Sequence, residues 1–138
     1  MRVRRLEIDN FRGIRSGLLD FAGNTLLVGG NNVGKSTVCE ALDLVLRPER
    51  LSAHPVLNEH DFYNSRYLTE EGDTVDVRIM VLLVDLPDEV RRRLMPHLRR
   101  WDETRGCFAD EGAAGPQAGD APGTIWALPV EFIGRYSP

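Results

Sequence analysis

Lysine is almost absent from this chain: one residue, Lys35, stands against sixteen arginines in 138 residues. Cysteine is scarce as well, with only Cys39 and Cys107, far apart and in no metal or redox spacing. A disulfide framework and a cysteine metal knuckle are thereby excluded, and a reduced, cytosolic chain is expected. No apolar run nears the roughly 20 residues that a bilayer span needs. The opening Met1-Arg2-Val3-Arg4-Arg5 passes directly into alternating polar and apolar positions, unlike a secretion signal. Excess positive charge is also missing: the net charge is −4 and the pI near 5.4, so nothing pushes the whole chain toward nucleic acid. Glutamine occurs once, at Gln117.

An arginine-rich composition makes the lone lysine informative, because it marks a position where arginine does not serve. Lys35 lies in Gly29-Gly30-Asn31-Asn32-Val33-Gly34-Lys35-Ser36-Thr37, which fits the Walker A pattern G-x-x-x-x-G-K-[ST]. A phosphate loop wants a compact ammonium on a flexible stem rather than a wide planar fork. Backbone N–H groups from about Gly30 to Ser36 are expected to enclose the β- and γ-phosphates. Gly29 and Gly34 allow backbone angles and a close approach that a Cβ would block. Lys35 would bridge β- and γ-oxygens, and the Ser36 hydroxyl would ligate Mg²⁺. Thr37 opens a helix whose dipole adds to the anion site.

The flanks agree with that mechanism. Thr25-Leu26-Leu27-Val28 is an apolar, β-prone run after the turn Gly23-Asn24. Behind the loop, Val38, Ala41, Leu42, Val45 and Leu46 recur at helical spacing until Pro48. The expected ligand is therefore MgATP or a related nucleotide, with the base unspecified because the loop reads phosphates.

Along the chain, strands are expected at about Arg2–Ile8, Gly17–Phe21 and Thr25–Val28, then a helix over Lys35–Leu46. Residues 47–73 read as an irregular connection with a turn of helix near Asn58–Tyr63. Residues 74–136 read as a β-subdomain with an inserted helix and a flexible loop over 103–123, rich in Gly, Ala, Pro and Asp from Cys107 onward. Val75 to Val84 makes a long strand, exposed on both faces at its start and buried at its end, and Ile125–Ile133 returns to pair with it. Leu86, Val90, Leu94, Leu98 and Trp101 suggest one helical stripe, kinked or divided by Pro96. Cys39 is expected to be buried in the first helix.

The stretch Leu6-Glu7-Ile8-Asp9-Asn10-Phe11-Arg12-Gly13-Ile14, followed by the phosphate loop and Glu40-Ala41-Leu42, resembles the N-terminus of the RecF/SMC-like ATPases. The doubled asparagine and Asp61-Phe62 look most like the overcoming-lysogenisation-defect (OLD) family of ATP-dependent endonucleases. The match covers residues 2–46 well and 56–136 weakly. The resemblance implies an α/β P-loop NTPase: the N-terminal lobe of an ABC-type ATPase head, with a mixed sheet and an antiparallel β-subdomain. It implies ATP and Mg²⁺ as cofactors, a homodimer of heads, and DNA as partner in repair or phage defence. By the same resemblance Arg12 approaches the nucleotide or the partner head, and Asn32 the γ-phosphate.

Several of that family's features are not found. Beyond residue 46 the reading finds no apolar strand ending in Asp or Asp-Glu as a Walker B strand. Nor does it find a signature motif, a switch histidine or a Toprim acid cluster. Gln117 lies in the Gly/Ala/Pro loop, a poor place for a Mg²⁺-sensing residue. The chain is thus expected to be the opening lobe of a longer protein that binds ATP and hydrolyses it poorly alone. A stand-alone regulatory nucleotide-binding module and an inactive truncated fragment are the alternatives.

The remaining candidates carry less. His60-Asp61 lacks a third ligand at a usable spacing and reads as a turn or helix cap, with Phe62 packed beneath. Arg91-Arg92-Arg93 and Arg99-Arg100 read as solvated helix faces. Arg2 and Arg4, on one strand face, are the better candidates for DNA phosphates.

Overall fold

Leu6, Ile8 and Phe11 are spaced to turn one side of an N-terminal strand inward, and all three are buried. The structure is a computed structural model that describes residues 1–23, 25, 34–52, 56–110 and 123–137. Strand β1 runs Arg2–Phe11 and β2 Ile14–Asp20, and helix α1 covers Lys35–Leu46. Short 3₁₀ turns follow at Pro48–Ser52, Glu59–Asp61 and Tyr63–Ser65. Then come β3 (Val77–Val84), α2 (Asp88–Leu94), a 3₁₀ turn at Met95–His97, β4 (Arg99–Asp102), β5 (Cys107–Phe108) and β6 (Thr124–Gly134). The sheet order is β2-β1-β3-β6-β4-β5. The chain divides into two units, Arg5–Val81 with Val130–Pro138, and Met1–Arg4 with Leu82–Pro129. We refer to them as the α1 unit and the α2 unit.

In the α1 unit, β1 and β2 form an antiparallel hairpin with Arg5 opposite Asp20 and Phe11 opposite Ile14. Only Arg12 and Gly13 connect them, and Arg12 takes φ +50°, a strained value for a residue with a side chain. Val77, Ile79 and Val81 of β3 are fully buried, with Ala41 and Leu44 of α1 also in the core. The Arg78 guanidinium stands among three carboxylates: Glu131 at 2.9 Å, and Glu7 and Asp9 at 3.5 Å. Burial opposes its charge, but attraction to Glu131 and Glu7 outweighs that and raises its pKa. Phe62, Tyr67 and Tyr136 stack edge to face, with centroids 6.3 and 5.1 Å apart.

In the α2 unit, β4 pairs antiparallel with both β6 and β5, placing Trp101 opposite Ile125 and Phe108. The Trp101 and Phe108 rings meet edge to face at 5.2 Å, and Arg100 lies over Trp126 at 4.1 Å. Leu82, Val84, Leu98, Trp101, Phe108 and Ala127 make its core.

Several expectations need correction. A mixed sheet was anticipated, whereas the pairings seen among the described residues are antiparallel. Arg2 pairs with Asp85, and Asn10 with the Asp76 carbonyl, so β1 and β3 also run in opposite directions. The strand expected at Thr25–Val28 lies outside the described residues apart from Thr25. The helical stripe from Leu86 to Trp101 does not hold, because α2 ends at Leu94. Pro96 lacks the N–H that would bond back to Arg92, and the chain instead gains two strand partners at β4. Part of the loop placed at 103–123 is ordered as β5, where Phe108 packs on Trp101; residues 111–122 lie outside the described ones. Val77, near the start of the long strand, is already fully buried. Cys39 is exposed rather than buried, because it sits about 200° around the helix from Ala41, a core residue.

Candidate nucleotide site

Helix α1 begins where the sequence places the end of a phosphate loop. Gly34 is its N-cap, in the left-handed region at φ +89° and ψ 5°, which glycine adopts without strain. Its carbonyl accepts the Val38 N–H at 3.0 Å, the first helical bond. No side chain caps this end, and no acid lies in the first turn. The orphan N–H groups there, together with the helix dipole, favour an anion. Lys35 and Thr37 are half-buried and Ser36 is exposed at the helix start. Gly29, Gly30, Asn31, Asn32 and Val33 lie outside the described residues, so the expectation for them, including Asn32 at the γ-phosphate, has no geometry here.

Arg12 reaches the same helix from the hairpin tip. Its Nη2 lies 3.9 Å from Glu40, five residues or about 7 Å of helix rise beyond Lys35. Its backbone N–H donates to the Asp61 carbonyl at 2.7 Å, and its Nε to Asp61 Oδ1 at 3.2 Å. The guanidinium thus lies between Asp61 and Glu40, the latter in the second turn of α1. Glu40 also accepts from Arg50 at 3.1 Å.

Asp61 is the one buried charged residue among the described residues. Its Oδ2 accepts the Asn58 N–H at 3.0 Å, while Asn58 Oδ1 accepts the His60 N–H, forming a reciprocal cap. Phe62 is buried beside it and bridges to Phe11. A turn with a cap, rather than a metal ligand set, is what Asp61 builds. Among the described residues no group of three His, Cys, Asp or Glu is placed to hold a metal ion.

Sequence reading missed one acid. The apolar strand β3 is followed at once by Asp85, so a strand ending in Asp does exist after residue 46. The run Val81-Leu82-Leu83-Val84-Asp85 was the available signal. Asp85 takes φ +53° and accepts from Arg2 Nε at 2.6 Å within the α2 unit. Arg2 and Arg4, the favoured DNA contacts, are both engaged, Arg4 with Glu103 at 3.0 Å. Among the described residues, no helix is long and apolar enough to cross a membrane.

A search of curated proteins finds no match. The family model of the AAA ATPase domain, in contrast, matches residues 1–88, which include β1, β2, the phosphate-loop sequence, α1 and β3. That is well over half of the chain and contains both the Walker A residues and Arg12; the chain belongs to the AAA ATPase domain family, which implies that it binds nucleotide.

Proposed function

We propose that this chain is the ATP-binding N-terminal lobe of a DNA-processing ATPase of the RecF/SMC-like kind, nearest to the OLD endonucleases. The start of α1 carries the proposal: a left-handed glycine, no side-chain cap and no acid, directly after Gly-Gly-Asn-Asn-Val. Amides from Gly30 to Ser36 would hold the phosphates, with Gly29 and Gly34 as the glycines the motif requires. Lys35 would neutralise the β- and γ-oxygens and Ser36 would ligate Mg²⁺, while Thr37 continues the helix. By the family resemblance Asn32 would serve the γ-phosphate. Arg12, held beside α1 by Asp61 and Glu40, is released toward the nucleotide or a second head.

Hydrolysis needs a positioned water and a further metal-supporting acid; the strand-end Asp85 is taken up by Arg2, and on this reading the chain alone hydrolyses ATP poorly. ATP binding then joins two heads and gates an act on DNA in the cytosol, either cleavage or repair. Residues 1–46 form the loop-bearing element, 47–73 the connection and 74–136 the β-subdomain.

Thermal melting with MgATP tests the nucleotide claim. Ligand at about 100 times Kd stabilises the native state by about 2.7 kcal/mol, a shift of several degrees at this size. Lys35→Ala should abolish the shift. A wild-type chain with no shift at millimolar MgATP would overturn the proposal.

A further inference from the structure

The arginines of this chain are almost all spoken for. Twelve of the sixteen form ion pairs with carboxylates, and Arg100 lies over Trp126. Arg15, Arg66 and Arg92 alone have no acidic or aromatic partner among the described residues. Two of these three, Arg15 and Arg66, line one cleft of about 620 Å³ in the α1 unit. Asn10, Asn64 and Tyr63 also line the cleft. Asn10 Nδ2 donates to the Asp76 carbonyl at 3.3 Å. Tyr63 has no aromatic partner among the described residues. Asn64 and Ser65 are both left-handed, which reverses the chain so that Tyr63 and Arg66 reach the same space.

We infer that this cleft binds the phosphodiester backbone of a single-stranded nucleic acid, with a base laid on Tyr63. Two guanidiniums without carboxylate partners match phosphate oxygens, and the half-buried Tyr63 on the cleft wall supplies an aromatic ring for a base of any identity. Asn10 and Asn64 supply amide groups for base edges or sugar. A free mononucleotide fits less well, because small ligands are mostly enclosed by their sites. Here Arg15, Asn64, Arg66 and Glu70 are all exposed, so the site is open to solvent rather than enclosing. Glu70 is the opposing charge on the cleft wall.

The inference shares with the proposed function only the choice of nucleic acid as partner, and it needs no ATP. Its test is fluorescence anisotropy of a labelled oligothymidylate of about 15 nucleotides, at about 50 mM salt, without nucleotide. Arg15→Glu with Arg66→Glu should weaken binding at least about tenfold, and Tyr63→Leu about fivefold or more. Glu70→Gln should tighten it. Arg92→Glu makes the same charge change as either single reversal and should leave binding unaltered, as should Lys35→Ala. Loss of binding in Lys35→Ala would assign the strand to the phosphate loop and overturn the cleft. Equal damage from Arg92→Glu would reduce the effect to net charge. Displacement of the oligonucleotide by millimolar AMP would assign a free nucleotide instead. An unlabelled duplex competing better than the single strand would remove Tyr63 from the interface, and no binding by the wild type would end the proposal.

Discussion

Arg12 and Asp61 are joined twice, once through the backbone and once through side chains. The Arg12 N–H donates to the Asp61 carbonyl at 2.7 Å, and the guanidinium Nε donates to the carboxylate at 3.2 Å. Residues 49 positions apart are thereby locked at the tip of a hairpin whose own backbone is strained. A left-handed arginine costs about 1 kcal/mol or more and persists where its surroundings determine it. Asp61 supplies that determination, and its other oxygen simultaneously caps the turn at Asn58.

Asp61→Ala therefore removes a cap and an ion-paired hydrogen bond from a nearly buried position. We expect a loss of about 2–3 kcal/mol in urea unfolding, more than either interaction alone. Arg12→Ala, with a side chain more than one-third exposed, should cost less, about 1 kcal/mol. A double-mutant cycle should show a coupling of about 0.5–1 kcal/mol. Additive losses would mean that the side-chain contact contributes nothing and that the backbone bond alone holds the tip.

Gly34→Ala separates backbone conformation from crowding at the phosphate loop. A Cβ built there meets nothing within 4 Å among the described residues. The φ of +89° is the obstacle, and alanine should destabilise the chain by about 1–2 kcal/mol through strain at the helix start. Relief of that strain would turn the first amides of α1 away from the ligand. The MgATP-dependent rise in melting temperature should therefore shrink or vanish along with the stability. A variant that melts as wild type and keeps the full nucleotide shift would show that the left-handed cap is dispensable.

Local patterns were read well from sequence wherever one physical signal dominated. The bounds of α1 emerged as expected because Gly34 starts it and Pro48 stops the pattern soon after Leu46, where the helix ends. Even so, its buried face is Ala41 and Leu44, while Leu46 is 41 % exposed. Periodicity names a stripe but not which part of it meets the core. The misreading at Leu98 and Trp101 has a different origin. Their spacing fits a helix, and only the non-local pairing of β4 with β6 and β5 makes the strand preferable. Ion pairing was equally invisible: nothing near Arg2 or Arg4 in sequence announces Asp85 or Glu103. For the same reason the unpaired arginines at 15 and 66 emerged only from the fold, since isolation of a charge is a long-range property.

The pair Asp76–Arg135 gives a pH dependence with a definite sign. Arg135 donates to both carboxylate oxygens of Asp76, and this hydrogen bonding, with a smaller Coulombic part, holds the Asp76 pKa below the usual carboxylate value. A group with a lowered folded-state pKa stabilises the native state at pH values above its unfolded pKa, near 3.9. That stabilisation is lost as pH falls through the lowered folded value. Wild-type stability should accordingly decline with acid in part through Asp76. Arg135→Gln should raise the Asp76 titration midpoint, followed by carboxyl ¹³C NMR, back to the ordinary range. The same variant should be less stable than wild type at neutral pH, with the difference closing as pH falls through the lowered folded-state value of Asp76. The acid limb is the discriminating region: both forms then carry a neutral Asp76, so the arginine has no carboxylate left to favour. An unmoved midpoint in Arg135→Gln would show that solvent screens this exposed pair completely.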